Sequence, residues 1–126
     1  MQWNGNWKAM MHEKNATCDA LLRSLGLCAK ARAVVFGTPM ICESLAGKRK
    51  PYLVIGASDN SENSAKRLRD KCTFYGVRLA VCDVSGEELA HAVGKTGHLA
   101  AVAVTDANLC RLVEKHLADA SVDNEN

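Results

Sequence analysis

Short apolar runs alternate along the chain with amphipathic stretches at helical spacing, and the alternation predicts five helices and four strands. The clearest unit runs from Leu53 to Val84. Leu53 to Ala57 is apolar throughout and of strand length, as expected for a strand covered on both faces. A polar turn follows, in which Asp59 or Ser61 caps the next helix and Glu62 stands three residues after Asp59, as in a capping box. Ala65, Leu68, Cys72 and Tyr75 then recur on one helical face, while Lys66, Arg67, Arg69 and Asp70 fall on the other. Gly76 ends this helix and Val77 to Val81 begins a second strand, which closes a strand–helix–strand module.

The flanks extend the same order. Leu21, Leu22, Leu25 and Cys28 line a first helix, and Val34 to Phe36 is a short strand. Gly37 leads into a helix with Thr38 as N-cap, Pro39 in the first turn and Gly47 just past the end. Lys48, Arg49, Lys50 and Pro51 make a basic connection to the strand at Leu53. Ser85 and Glu88 form a capping box for a helix carrying Leu89 and Val93. Ala100 to Val104 is the last strand, and Leu109, Leu112 and Val113 mark the last helix. Such alternation implies an α/β sheet covered on both faces by helices. Residues 1–16 are polar around Trp3 and Trp7 without a sustained period, so a disordered leader is expected there. Residues 17–117 are expected to form one domain, and the acidic, small-residue stretch 118–126 a frayed tail.

Composition narrows the function classes. At 126 residues the chain can bury a core without staples, and 48% apolar with 24% charged residues is ordinary for a globular protein. A net charge of +2 excludes a broadly sticky polycation, so any nucleic-acid contact must come from a local patch. No apolar run reaches the length of a membrane span. Cys18, Cys28, Cys42, Cys72, Cys82 and Cys110 show no metal-ligand spacing and lie in apolar runs, which reads as buried thiols in a reducing cytoplasm. Gly94-Lys95-Thr96 lacks the glycine that a phosphate-binding loop needs at position 89, which is Leu, and it follows a helix instead of preceding one. His12, His91, His98 and His116 belong to no nucleophile or carboxylate constellation. Asp59, Asp83 and Asp106 stand at strand ends, where helix capping is their first role. The expectation is a protein without catalytic residues, cofactor or metal.

The segment LVIGASDNSENSAKRLRDKCTFYGV resembles the kink-turn RNA-binding superfamily of ribosomal proteins, and most closely its bacterial YlxQ-like branch. The archaeal and eukaryotic large-subunit relatives belong to the same group. The resemblance continues through LLRSLGLCAKARAVVFGTPMICESLAG and ELAHAVGKTGHLAAVAVTDANLCRLVEK, about residues 17 to 117. It implies a three-layer α/β/α sandwich with a four-stranded mixed sheet. It also implies that the helix start at Gly37 and Thr38 enters a kinked RNA, with two loops completing the surface. One loop holds Ser58, Asp59 and Asn60; the other holds Gly94, Lys95, Thr96, Gly97 and His98.

Carried over by position, Gly37 and Thr38 fit the family pattern. Pro39 and Met40 stand where the family has Asn-Glu or two acidic residues, and Glu43 reverses a basic position. A Gly-Lys pair of the bacterial branch is replaced by Arg32-Ala33. Pro39 has no donor, Met40 cannot read a base edge, and Glu43 repels phosphate. The expected function is therefore non-catalytic binding of a bent or bulged RNA, ribosomal or otherwise structured. The 37–43 helix start and the 94–98 loop would clamp it while Lys30, Arg32 and Lys95 neutralise phosphates. The rival expectation is a protein-interaction module, with Pro39, Met40 and Ile41 as an apolar anchor.

Overall fold

The computed structural model describes residues 18–120. The expected leader and the last six residues of the expected tail lie outside the described residues. Helix α1 covers residues 18–30, followed by β1 (Val34–Phe36), α2 (Thr38–Ala46), β2 (Leu53–Gly56) and α3 (Glu62–Tyr75). Then come β3 (Leu79–Val81), α4 (Gly86–Ala92), β4 (Ala101–Val104) and α5 (Ala107–Ala120). The strands form one mixed sheet in the order β1-β4-β2-β3. β4 runs antiparallel to both β1 and β2, while β2 and β3 are parallel and joined by α3.

Strand alternation sorts the core into two layers. Leu53, Ile55, Val102, Val104 and Ala80 face one side, where Leu21, Leu25 and Cys28 of α1, Leu89 of α4, and Val113 and Leu117 of α5 pack on them. Val54, Ala101 and Ala103 face the other side, against Ile41 and Leu45 of α2 and Leu68 and Cys72 of α3. The result is the three-layer α/β/α sandwich with a four-stranded mixed sheet. All four residues of β2 and of β4 are buried, because these central strands are covered twice. Each fully buried leucine contributes about 1.5–3 kcal/mol, so the two layers carry the stability of the fold.

Several local expectations shift by a residue. The N-cap of α2 is Gly37, at φ 90°, since its carbonyl accepts from the Ile41 amide; Thr38 is the first helical residue. Gly47 ends α2 in an extended conformation, φ −85°, so this stop does not use a left-handed glycine. Ser61, not Asp59, caps α3, its side chain accepting from the Ser64 amide at 3.2 Å. Asp59 is drawn away by partners distant in sequence, described below. Ser85 and Glu88 form the expected capping box of α4, and Asp106 caps α5 through the Leu109 amide.

Two helices end in the same way with different residues. At the end of α3, the Gly76 amide donates to the Thr73 carbonyl and the Val77 amide to Cys72, with Gly76 left-handed at φ 71°. At the end of α1, the Arg32 amide donates to Ala29 and the Ala33 amide to Cys28. Both are Schellman motifs. In the second, Arg32 takes the left-handed position at φ 58°, alone among the described non-glycine residues.

Candidate nucleic-acid interface

The sheet register decides which candidate residues meet. β1 and β2 finish, and β4 begins, at one end of the sheet: Phe36 pairs with Val102, and Gly56 with Ala101. The start of α2, the Ser58–Asn60 turn and the 94–98 loop all gather there, so three of the expected segments converge. The Gly37 amide donates to Ala101 O at 3.4 Å, and the Asn60 side-chain amide donates to Ala100 O at 2.9 Å and Ala57 O at 3.3 Å. Ser58 donates to Val84 O through both its amide and its hydroxyl. The Lys95 ammonium lies 5.2 Å from the centre of the Phe36 ring, which brings the 94–98 loop beside the start of α2.

Asp59 ties this end together. Its Oδ1 accepts from the Gly86 amide, the first of α4, at 2.9 Å, and lies 3.2 Å from His98 Nε2. It thus caps a helix 27 residues away from itself. The Gly86 hydrogen bond holds its carboxyl below the usual carboxylate range, against the opposing effect of desolvation and with smaller help from His98. Gly86 leaves room for this contact, because a Cβ there would clash with the His98 ring and displace it. The sequence reading missed Gly86; its available signal was a glycine directly after the capping-box serine, at a first helical position.

What the surface offers is specific. No side chain caps the first turn of α2, and Pro39 carries no N–H, so the open donors are the Thr38 and Met40 amides. Pro39 and Met40 are exposed, Met40 by 55%, whereas Phe36 is half-buried. Thr96, Gly97 and His98 are exposed, and both Gly94 and Gly97 take positive φ as the loop turns. Asp59 and Asn60 instead spend their polar atoms on the protein, with Asn60 Oδ1 buried and unpaired. They position the loops more than they face a ligand.

Three expected cations are not brought together. Lys95 sits at the α2-start end, alongside the exposed acids Asp59, Glu62, Asp83, Glu87 and Glu88. Lys30 and Arg32 precede β1, whose residue Val34 pairs with Val104 at the opposite end of the sheet. Five residues of extended chain, roughly 16 Å, separate Arg32 from Gly37. Glu43, on the second turn of α2, is exposed. Among the described residues, no group of three His, Cys, Asp or Glu side chains could hold a metal ion, and no helix is long and apolar enough to cross a membrane.

No protein-family model matches the chain. Over 82 residues it is 37% identical to the RNA-binding protein YlxQ of Bacillus subtilis (strain 168), spanning 65% of this chain and 79% of that one. The chain belongs to the YlxQ family. A protein of unknown function from Bacillus halodurans superposes with a TM-score of 0.70 at 28% identity, covering 78% of this chain and 96% of its own. The Giardia lamblia 15.5kD RNA binding protein superposes with a TM-score of 0.69 over 83% of this chain and 88% of its own. At 19% identity it speaks for the fold alone. The fold is thus shared with these structures over most of the described residues.

Proposed function

We propose that this protein is a non-catalytic, cytoplasmic RNA-binding protein that grips a bent or bulged element of structured RNA, ribosomal RNA included. The start of α2 and the 58–60 and 94–98 loops form the grip. The observation that carries the reading is the convergence of these three segments at one end of the sheet, fastened by Asp59, Gly86 and His98. YlxQ of Bacillus subtilis, named as an RNA-binding protein, supports it.

Recognition at this end relies on neutral donors more than on charge. The Thr38 and Met40 amides suit base acceptors or a phosphate, Lys95 supplies one cation, and small residues of the 94–98 loop accommodate an unstacked base. The departures at Pro39, Met40 and Glu43 favour a bent RNA other than a standard kink-turn.

The test is a titration against a kink-turn RNA, a bulged hairpin, and a fully Watson–Crick control, each at two salt concentrations. The expected result is preference for a bent RNA over the control, weakened by Lys95→Glu and by His98→Ala. Equal binding of all three RNAs, or indifference to both substitutions, refutes the grip. A second reading, a protein-interaction module, is favoured by one observation: Met40 is 55% exposed beside an exposed Pro39. Loss of a protein partner, with RNA binding intact, in Met40→Glu would support it.

A further inference from the structure

The opposite end of the sheet carries a second surface, built from aromatic rings and cations. The Lys48-Arg49-Lys50 connection, Arg32 and Arg78 lie at this end, since β1 and β2 start there and Arg78 precedes Leu79, the partner of Val54. Lys48, Arg49 and Lys50 are exposed and, among the described residues, have no carboxylate partner. Arg78 meets Glu114 only at 3.9 Å. Among these cations stand large rings that the core does not use. Phe74 is 77% exposed and Tyr52 56% exposed. Phe74 meets Tyr75 edge-on, with centroids 4.8 Å apart, and the Lys50 ammonium lies 5.8 Å over the Tyr75 ring. Tyr52 shares strand parity with Val54 and so belongs to the sheet face that α3 covers.

We propose that this aromatic–cationic end is a binding site for an unpaired nucleic-acid strand, with Phe74 and Tyr52 stacking on bases and Lys48, Arg49 and Lys50 contacting phosphates. Exposed rings interleaved with unpaired cations fit a chain that presents π-faces and negative charge in alternation. A protein ligand would need neither that alternation nor three adjacent cations. The site also gives the basic residues of this chain a use that the grip lacks, because the grip end is rich in carboxylates. Arg67, Lys71 and Phe74 fall on one helical face, so cations continue along α3 from this end. The inference does not depend on bent-RNA recognition. An RNA that uses both surfaces would carry its unpaired strand along α3, about 20 Å at helical rise.

The experiment titrates the full chain with a 12-nucleotide oligouridine and with an RNA duplex of equal length. The single strand is expected to bind at least tenfold more tightly. Tyr52→Ala with Phe74→Ala should weaken single-strand binding by about 30-fold or more, from two stacked bases at the strength usual for such rings, and leave duplex binding unchanged. Phe74→Trp should retain it. Lys48→Gln with Lys50→Gln should lower the slope of log affinity against log salt by about 1.4, from two phosphate contacts. Both rings are exposed, so an unchanged melting temperature is expected and separates lost binding from lost folding. His98→Ala, which tests the grip, should leave oligouridine binding intact. Absence of single-strand binding by the wild type, or affinity indifferent to the rings, overturns the proposal and assigns the patch to a protein partner.

Discussion

Replacing Arg32 by Gly should stabilise the fold while removing a cation from the basic end. Arg32 occupies the left-handed position of a Schellman motif at φ 58°. A side chain there costs about 1–2 kcal/mol through Cβ crowding against the backbone. The extra freedom of glycine in the unfolded chain takes back about 0.5–1 kcal/mol. The net gain for Arg32→Gly is therefore about 0.5–1 kcal/mol. Urea denaturation would read it as a midpoint raised by about 0.5 M at constant slope, and calorimetry as a Tm raised by about 2–6 °C. Gly76→Ala is the mirror experiment, since Gly76 fills the same position of the same motif at φ 71°. Nothing lies within 4 Å of a Cβ placed there, so its cost is backbone strain alone, about 1 kcal/mol of lost stability. Arg32→Asn, which tolerates the left-handed region but lacks the charge, should fall between Arg and Gly. A lowered midpoint for Arg32→Gly, or a raised one for Gly76→Ala, would refute the reasoning. If Arg32 also contacts phosphate, the stabilised variant binds oligouridine less tightly, and strain at this position is retained for function.

Three further outcomes are expected. Gly86→Ala should expel the His98 ring and lower stability, whereas pairing it with His98→Ala should restore much of the loss; a double-mutant cycle with no coupling would remove the steric account. Asp59→Asn keeps an acceptor for the Gly86 amide but loses the charge. Because the folded carboxyl titrates below its ordinary value, the charge stabilises above the unfolded pKa and ceases to do so as pH falls through the folded one. The gap in urea midpoint between wild type and Asp59→Asn should thus be present at about pH 5, where His98 adds its charge to the contact, and shrink below about pH 4. Burial pushes the Cys72 thiol up to about 11, and Cys42 is the one cysteine that is not buried. Alkylation at pH 8 followed by mass spectrometry should therefore modify Cys42 first, and Cys72 only on unfolding.

The fold was legible because its signals repeat at every level. The run Leu53 to Ala57 and the run Ala100 to Val104 are apolar at every position, and both became central strands covered by helices on each face. Cap chemistry at Ser85, Glu88, Asp106 and Gly76 is local and therefore readable from neighbouring residues. The sequence left a choice open where a nonlocal partner competes with a local one. The Asp59-to-Glu62 spacing matches a capping box, but Asp59 gains more from the Gly86 amide and the His98 ring than from the turn beside it. Ser61, two residues on, then caps α3 in its place.

Charge placement was the least legible feature, and the reason is topological. Arg32 stands five residues before Gly37, which on the sequence looks adjacent; yet the intervening residues are β1, and a strand carries its two ends apart by its full length. The same register that separates Arg32 from the start of α2 brings it to the end where Lys48, Arg49 and Lys50 emerge from the helix that Gly37 begins. A helix that returns along a strand exchanges ends in this way, so sequence neighbours part while residues 16 to 18 positions away share one end. The consequence is a division between shape and charge. Open backbone donors and fixed loops lie at one end of the sheet; at the other lie exposed rings and Lys48, Arg49 and Lys50, which among the described residues have no carboxylate partner. A ligand of both proposed sites would be partly structured and partly single-stranded, with its unpaired strand along the outer face of α3.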